Sequence, residues 1–489
     1  MMRHRFSFRF HSSSSIPIPV DESSRIPDID SAPMAIVGFI LCIIITAVVA
    51  VMLFKKFNPQ GVLLLAGILM VTIGLCFGIA VQVSKPTGSA VFDILRFVEE
   101  KFVSNFSRAG LQIMVIGGYV AFMNAIEATN MLVYMAVKPL AFFKKFPYLA
   151  AVLAIPIGQL LFITTPSAAG VGLLLVATLY PILVNLGVGK VTALSAIAFA
   201  TLFDQGPGSA NTLAASELSG LGTVQYFMDF QVPRVVPVTV LLLVLFFLYN
   251  KWCDRRDQAA GKEVYSERLD ESKKPDVPRF FSVLPLLPIV FLLLFSGYVG
   301  IENVTISTTV AMLASLLIAF VCVILQKRSF KGVFPLLKSF WTGMGNVFVS
   351  VVSLIVCAEV FSGGLISLGF IDTLVKGTTS MGLGAVAIST VITAIIFFAA
   401  MLMGSGNAAF FSFGPLLPAI AAQLGIPAVN MIVPMQLAAS MGRATSPIAG
   451  VIVAICGIAE VSPMELARRN THPLLIGVSA LILIHFLIV

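Results

Sequence analysis

Charge is scarce in this chain. Charged residues make up 11% of its 489 positions and mean hydropathy is +1.00, whereas a soluble domain carries about 25% charged residues. A soluble fold is thereby excluded, and many runs exceed the ~18 uncharged residues that read as a membrane helix. Histidine is scarce, with four scattered copies, so no metal site is expected. The six cysteines form no C-x-x-C pair, and five of them lie in apolar runs. They read as small packing residues rather than disulfides or ligands. There is no G-x-x-x-x-G-K-[ST] phosphate loop, which argues against ATP hydrolysis. No Ser/His/Asp arrangement stands out either, so an integral membrane enzyme is the weaker reading and no cofactor is expected. The net charge of +8 resides in loops between apolar runs. That is an orientation signal, not a nucleic-acid footprint.

What the chain does have is a polar break that occurs twice. Thr164-Thr165-Pro166-Ser167-Ala168-Ala169-Gly170 lies inside the uncharged run Phe146 to Gly189. Gly404-Ser405-Gly406-Asn407-Ala408-Ala409 lies inside the uncharged run Gly377 to Gly442. Small and hydroxylated residues in mid-span unwind a helix, and lipid cannot satisfy the freed backbone groups. Such breaks in corresponding halves point to the substrate site of a secondary transporter. Helix packing through small residues is the competing reading.

The apolar, charge-poor runs predict spans at 35–54, 61–84, 110–129, 191–222 (broken), 231–250, 281–300, 304–326, 341–362, 427–458 (broken) and 471–489. The runs 148–188 and 382–425 each have two apolar arms around a tip, which fits a re-entrant hairpin. Residues 251–279 form the one long charged loop and read as a solvated cytoplasmic linker. Residues 1–33 are rich in Ser, Pro and Arg without an apolar core. They read as a disordered tail or an upstream mis-annotated start. The expected organisation is a first repeat at 34–250, the linker at 251–279 and a second repeat at 280–489.

The halves echo one another. Gly425 stands 238 residues after Gly187, each in a Leu-Gly-Val/Ile triplet, and the same offset carries Ser167 to Ser405. The break Asp204-Gln205-Gly206-Pro207-Gly208-Ser209 pairs with Gly442-Arg443-Ala444-Thr445-Ser446-Pro447, and Glu127 pairs with Glu359 at an offset of 232. With Lys55 and Lys56 placed in the cytoplasm, 20 basic residues fall inside and 6 outside. The positive-inside rule expects that bias. Under this topology the two repeats are inverted. The expected fold is therefore an all-α polytopic membrane protein of two inverted repeats, each with a re-entrant helical hairpin and a broken transmembrane helix.

The candidate substrate-binding residues are Thr164, Thr165 and Ser167 at the first tip and Gly404, Ser405, Gly406 and Asn407 at the second. Arg443, Thr445 and Ser446 join them from the second broken helix. Helices starting after each tip aim positive dipole ends at a common centre, which suits an anion and a carboxylate in particular. Arg443 follows 66 uncharged residues and precedes 16 more. A charge there marks a pathway or a buried partner, and its planar fork suits a carboxylate. A structural ion pair with Asp204 is the alternative. Asp204, Gln205, Ser209, Asn211 and Thr212, with Glu127 and Glu359, are candidates for holding a coupling ion or supporting the site. H+ and Na+ are both open.

Gly404-Ser-Gly-Asn-Ala, Met441-Gly-Arg-Ala-Thr-Ser-Pro-Ile-Ala-Gly-Val-Ile-Val-Ala and Ile458-Ala-Glu-Val-Ser-Pro-Met-Glu-Leu resemble the DcuC-type anaerobic C4-dicarboxylate carriers. Val137-Lys-Pro-Leu, Ser167-Ala-Ala-Gly-Val-Gly-Leu-Leu-Leu-Val-Ala-Thr-Leu-Tyr-Pro and Ala215-Ser-Glu-Leu-Ser are similar to the same family. The resemblance runs from about residue 36 to the C-terminus. It implies the ion-transporter superfamily fold, a homodimer, and movement of succinate, fumarate or malate across the bacterial inner membrane by exchange, symport or efflux. Related sodium-coupled dicarboxylate carriers have Ser-Asn-Thr at the tips. Here the tips read Thr-Pro-Ser and Ser-Gly-Asn, which leaves proton coupling or exchange open. Neighbouring families carry amino acids or other organic anions, the alternative substrates.

Overall fold

The computed structural model describes residues 32–488, apart from 266–268, 271–272, 297, 299–303, 305 and 381–383. The tail expected at 1–33 thus falls almost wholly outside the described residues. Among the described residues the chain is helical throughout, without strands.

The first half opens with α1 (Ala32–Phe54) and α2 (Pro59–Cys76). One continuous helix follows: α3 (Ala90–Asn105), a π turn at Phe106–Gly110, and α4 (Leu111–Ala125). The chain then bends by 74° into α5 (Ala128–Val137). Glu127 sits at that bend with φ 57°. Next come α6 (Pro147–Thr164), α7 (Ala168–Asn185), α8 (Lys190–Ala200), α9 (Ala210–Leu218), the single turn α10 (Thr223–Gln225), a second π turn at Tyr226–Gln231, and α11 (Val232–Ala259).

The second half begins with a 3₁₀ stretch at Arg279–Leu286, α12 (Leu287–Leu294) and α13 (Thr308–Lys327). It then repeats the same order. A long helix is built from α14 (Phe330–Val333), α15 (Leu337–Val347), a π turn at Phe348–Val352, and α16 (Ser353–Ser367). After it come α17 (Phe370–Ser380), α18 (Ala385–Met403), α19 (Gly406–Phe413), α20 (Leu417–Gln423), α21 (Val429–Ala444), α22 (Gly450–Ala459) and α23 (Pro463–Ile488).

Nine helices among the described residues are long and apolar enough to cross a membrane. The protein is a multi-pass membrane protein. α6 and α7 both qualify at 18 residues each, so the arms of the first break are each long enough to cross alone.

Several helix bounds differ from those expected. The run 61–84 stops being helical at Cys76. The span expected at 110–129 is the second part of a helix that starts at Ala90, because α3 is amphipathic and its charges had masked it. Pro285 and Pro288 restrict the run 281–300 to a 3₁₀ segment and one short helix, since proline removes a donor and crowds the preceding turn. Glu127 and Glu359 are not equivalent either. The bend at Glu127 corresponds in element order to Gly369, with φ 70° between α16 and α17, while Glu359 lies inside α16.

Packing combines large buried side chains such as Tyr119, Phe122 and Phe162 with close helix approach at glycines. Where α4 crosses α15, a Cβ on Gly343 would stand 2.7 Å from the Gly117 carbonyl oxygen, and one on Gly118 would stand 2.8 Å from Phe340. Small residues at crossings are the usual device where lipid provides no hydrophobic drive.

The linker is less solvated than its composition implies. Asp254 and Asp257 extend from α11 and are buried. Arg469 of α23 donates Nη1 to Asp254 at 2.7 Å and Nη2 to Asp257 at 2.8 Å. Thr192 and Tyr148 donate hydroxyls to the other Asp254 oxygen at 2.7 and 2.9 Å. Further on, Asn185 brackets the Leu269 backbone, its Nδ2 donating to the carbonyl and its Oδ1 accepting from the amide, both at 2.9 Å.

Candidate functional site

The two tips are built alike. Ser167 is extended (φ −134°, ψ 100°) and caps α7 by accepting from the Gly170 amide at 3.2 Å. Ser405 is extended (φ −143°, ψ 112°) and caps α19 by accepting from the Ala408 amide at 3.1 Å. The serines therefore satisfy one of the donors that each break frees. Gly404 has φ 72°, a conformation that costs glycine nothing and other residues a good deal. Thr164 spends its hydroxyl on the Leu161 carbonyl at 2.7 Å, and Thr165 is buried beneath it.

Each tip lies against the broken helix of its own half. A Cβ on Gly206 would be 2.7 Å from Ile163 Cγ2, and one on Gly404 would be 3.0 Å from the Ile448 carbonyl. Between the tips the halves interlock. The space above Gly172 of α7 is filled by Val451 of α22 at 2.7 Å, and that above Gly414, after α19, by Leu218 of α9 at 3.3 Å.

At this junction the first broken helix and the second tip share one polar network. Asp204 is 7% exposed. Its carboxylate accepts from Ser209 Oγ at 2.5 Å and from Asn211 Nδ2 at 2.6 Å. The same Asn211 nitrogen donates to Asn407 Oδ1 at 2.9 Å, which joins the halves. Ser209 also caps α9, accepting from the Asn211 and Thr212 amides. Asn211 Oδ1 is buried without a partner.

Two glutamines that the sequence did not single out complete the network. Gln436 donates to the Asp204 carbonyl at 2.7 Å and accepts from Gln231 at 2.8 Å and from the Tyr226 hydroxyl at 3.2 Å. Gln231 in turn accepts from the Gly206 amide at 3.2 Å and bonds Thr212 at 3.0 Å. Uncharged glutamines within helical runs gave no signal of this pairing. Their shared burial beside Asp204 explains it afterwards.

Arg443 is half-buried. It donates Nη2 to the Thr201 carbonyl at 2.5 Å, its guanidinium lies 5.9 Å from the Phe162 ring centre, and its Nε has no partner. The alternative of an Asp204–Arg443 ion pair does not hold: no nitrogen of Arg443 comes within 4.0 Å of Asp204. Each residue finds its hydrogen bonds elsewhere.

The network is one-sided. At the offset of 238, Asn407 corresponds to Ala169, Asn211 to Ala449, and Arg443 to Gln205. Thr445 and Ser446 stay local, with Thr445 Oγ1 donating to the Gly442 carbonyl at 2.7 Å and Ser446 Oγ accepting from the Ile448 amide at 3.4 Å. The structure thus brings Asp204, Ser209, Asn211, Thr212 and Asn407 together. Gln205 is buried beside them. Glu127 is exposed at its bend. Glu359 lines a separate small cavity of about 40 Å³ with Asn105, Glu217 and Phe411.

A larger open cavity of about 620 Å³ reaches the C-terminal end of α9, lined by Ser216, Glu217, Thr223, Gln225 and Tyr298 among others. Tyr298 donates to Asp229 at 2.5 Å on its rim. Partial burial and the Asp229 carboxylate push its phenol up to about 12. The described residues contain no group of three or more His, Cys, Asp or Glu that would hold a metal.

A multi-pass helical protein whose broken helix meets a helix break of the other half at a buried polar junction has the architecture of a membrane carrier. Two solved transporters share the fold. The Neisseria gonorrhoeae MtrF structure, described with a class of antimetabolite efflux pumps, superposes with TM-score 0.59 at 12% identity, covering 87% of this chain and 95% of that one. The Alcanivorax borkumensis YdaH transporter does so with TM-score 0.57 at 15% identity, covering 87% and 98%. Residues 37–489 match the model of the DcuC family, C4-dicarboxylate anaerobic carrier, and the chain belongs to that family. The probable anaerobic C4-dicarboxylate transporter DcuC of Vibrio cholerae is 30% identical over 92% of this chain and 97% of its own length. The anaerobic C4-dicarboxylate transporter DcuC of Escherichia coli K12 is 30% identical over 91% and 95%.

Proposed function

We propose that the chain is a secondary active transporter moving C4-dicarboxylates such as succinate, fumarate and malate across the bacterial inner membrane by alternating access. The observation that carries the site is the joint between the halves: Asn407 of the second tip bonded to the Asp204–Asn211 pair of the first broken helix, with Arg443 close by and its Nε without a partner. A buried donor left unmade is costly, and a substrate carboxylate is its natural complement.

The finer architecture is part of the same reading. Two inverted repeats, each with a re-entrant hairpin, are supported by the repeated element order, by the matching serine caps, and by the 20-to-6 distribution of basic residues. Re-entrance is further supported by each tip lying against a mid-span break. Inversion lets one set of elements rock against the other around a fixed site. A homodimer is proposed on the superfamily resemblance alone.

The test is uptake of labelled succinate into proteoliposomes, with and without internal fumarate. Saturable uptake stimulated by internal fumarate is expected. Absence of uptake by correctly folded protein would discard these substrates and direct the search to other organic anions and amino acids.

A further inference from the structure

We propose that Asp204 is the site of a coupling proton, and that the second tip senses its protonation through the Asn211–Asn407 amide bridge. The inference rests on the carrier reading above and names the ion that drives it.

Asp204 is a buried carboxylate whose direct partners are neutral, Ser209 Oγ and Asn211 Nδ2. A buried charge without an ion partner is the kind that a proton neutralises most readily. The arrangement around Asn211 shows what neutralisation does. The carboxylate dictates the amide's orientation: both N–H groups are committed, one to Asp204 Oδ2 and one to Asn407 Oδ1. Asn211 Oδ1 is left buried and unpartnered. When Asp204 gains a proton on Oδ2, that oxygen becomes a donor and can no longer accept from Asn211. Turning the amide over presents Oδ1 to the new O–H, which satisfies the orphan acceptor. The N–H that held Asn407 is then withdrawn, and the second tip is released from the first broken helix. One proton adds to Asp204 and no other covalent bond is made or broken; only the hydrogen bonds of Asn211 change.

Supply and linkage are both in place. The large cavity reaches Ser216 and Glu217, about 7.5 Å along α9 from Asn211 at 1.5 Å per residue. Thr212 and Gln231 supply hydrogen-bonding groups next to Asn211, and the buried Leu213, Ala214 and Ala215 lie between them and Ser216. The charge count places that cavity on the outer side. The charged and titratable groups on the elements around Asp204 are Arg443 on α21, Tyr226, Asp229 and Arg234 from the π turn and α11, and Glu217 at the far end of α9. Tyr226 is engaged with Gln436, Asp229 with Tyr298, and Arg234 with His485. The parts of α6 and α19 that face Asp204 carry no charge. Arg443 favours the ionised form, together with the donors Ser209 and Asn211. A substrate carboxylate on Arg443 would offset that support, so substrate and proton binding are linked with the sign a symporter needs.

The test compares two fluxes in proteoliposomes: labelled succinate exchange against internal succinate at equal pH, and net succinate uptake driven by an imposed pH gradient. Asp204→Asn is expected to lower net uptake at least tenfold more than exchange and to flatten the pH profile of exchange, while Asp204→Glu retains a response to the gradient. A net-to-exchange ratio within twofold of wild type in Asp204→Asn would overturn the proposal. Should that variant be inactive in both assays, the wild type still decides. A lumenal pH dye must report proton entry with succinate, and net uptake driven by a sodium gradient without proton entry would overturn the idea. Wild-type exchange with no proton-linked net uptake would overturn the proton site but leave the carrier reading intact. Neither flux in folded wild type would remove both.

Discussion

Asn407 and Arg443 occupy different chemical positions at the same junction. Asn407 accepts one hydrogen bond from Asn211, and its amide nitrogen is committed to no partner that the structure records. Asn407→Ala removes that bond and leaves the Asn211 amide short of an acceptor. We expect succinate affinity to fall roughly tenfold, the scale of one hydrogen bond in a water-poor site, with membrane insertion unchanged. Ser405→Ala should weaken binding less, because its hydroxyl serves the α19 cap. Wild-type transport kinetics in both variants would remove the second tip from the site. Arg443→Lys keeps the charge but loses the fork, and Arg443→Gln loses both. A graded loss of dicarboxylate affinity, Gln worse than Lys, is expected from equilibrium binding. Equal affinity in wild type and both variants would make the residue structural.

At the scale of elements, the breaks depend on glycine contacts. A Cβ on Gly442 would stand 2.2 Å from the Phe397 carbonyl oxygen, a backbone atom that cannot rotate away. Gly442→Ala therefore forces α21 off α18 and should cost about 1–3 kcal/mol, read as a lower midpoint in detergent-solubilised unfolding. An unchanged midpoint would mean that the two helices slide freely. Much at this scale was legible from the sequence. The tips and both broken helices follow from small polar residues inside long apolar runs, whereas the serine caps emerged only with the structure. The Asn211–Asn407 bond and the Gln231–Gln436 pair were not legible. They join positions about 200 residues apart, and periodicity carries no information at that range. The amphipathic α3 escaped for a different reason, since a search for uncharged runs passes over any helix that carries Asp93, Arg96, Glu99, Glu100 and Lys101.

At the scale of the molecule, charge placed the linker near the surface, and the structure modifies that. Arg469 lies buried between Asp254 and Asp257, and removing one member of such a cluster leaves uncompensated charge. Arg469→Met is expected to destabilise by about 3–5 kcal/mol, and the triple replacement Arg469→Met, Asp254→Asn, Asp257→Asn to recover much of that loss. No recovery would show that the cluster is not a unit. The reading of 251–279 as solvated agrees with the exposure of most of its described residues but not with Asp254 and Asp257, because composition records polarity and not partners, and the partner of these aspartates lies on the last helix.

The same cluster bears on how the chain could be divided. Arg469 to Asp254 and Asp257, Ser195 to Asn470 at 2.7 Å, Asn211 to Asn407 and Tyr119 to the Leu284 carbonyl at 2.5 Å all tie residues before the linker's midpoint to residues beyond it. Covalent continuity is therefore not what keeps the two parts in register. Expressed as separate polypeptides cut after Lys274, the fragments should find one another in the bilayer, co-purify and regain transport, as a split protein complemented by its own other piece.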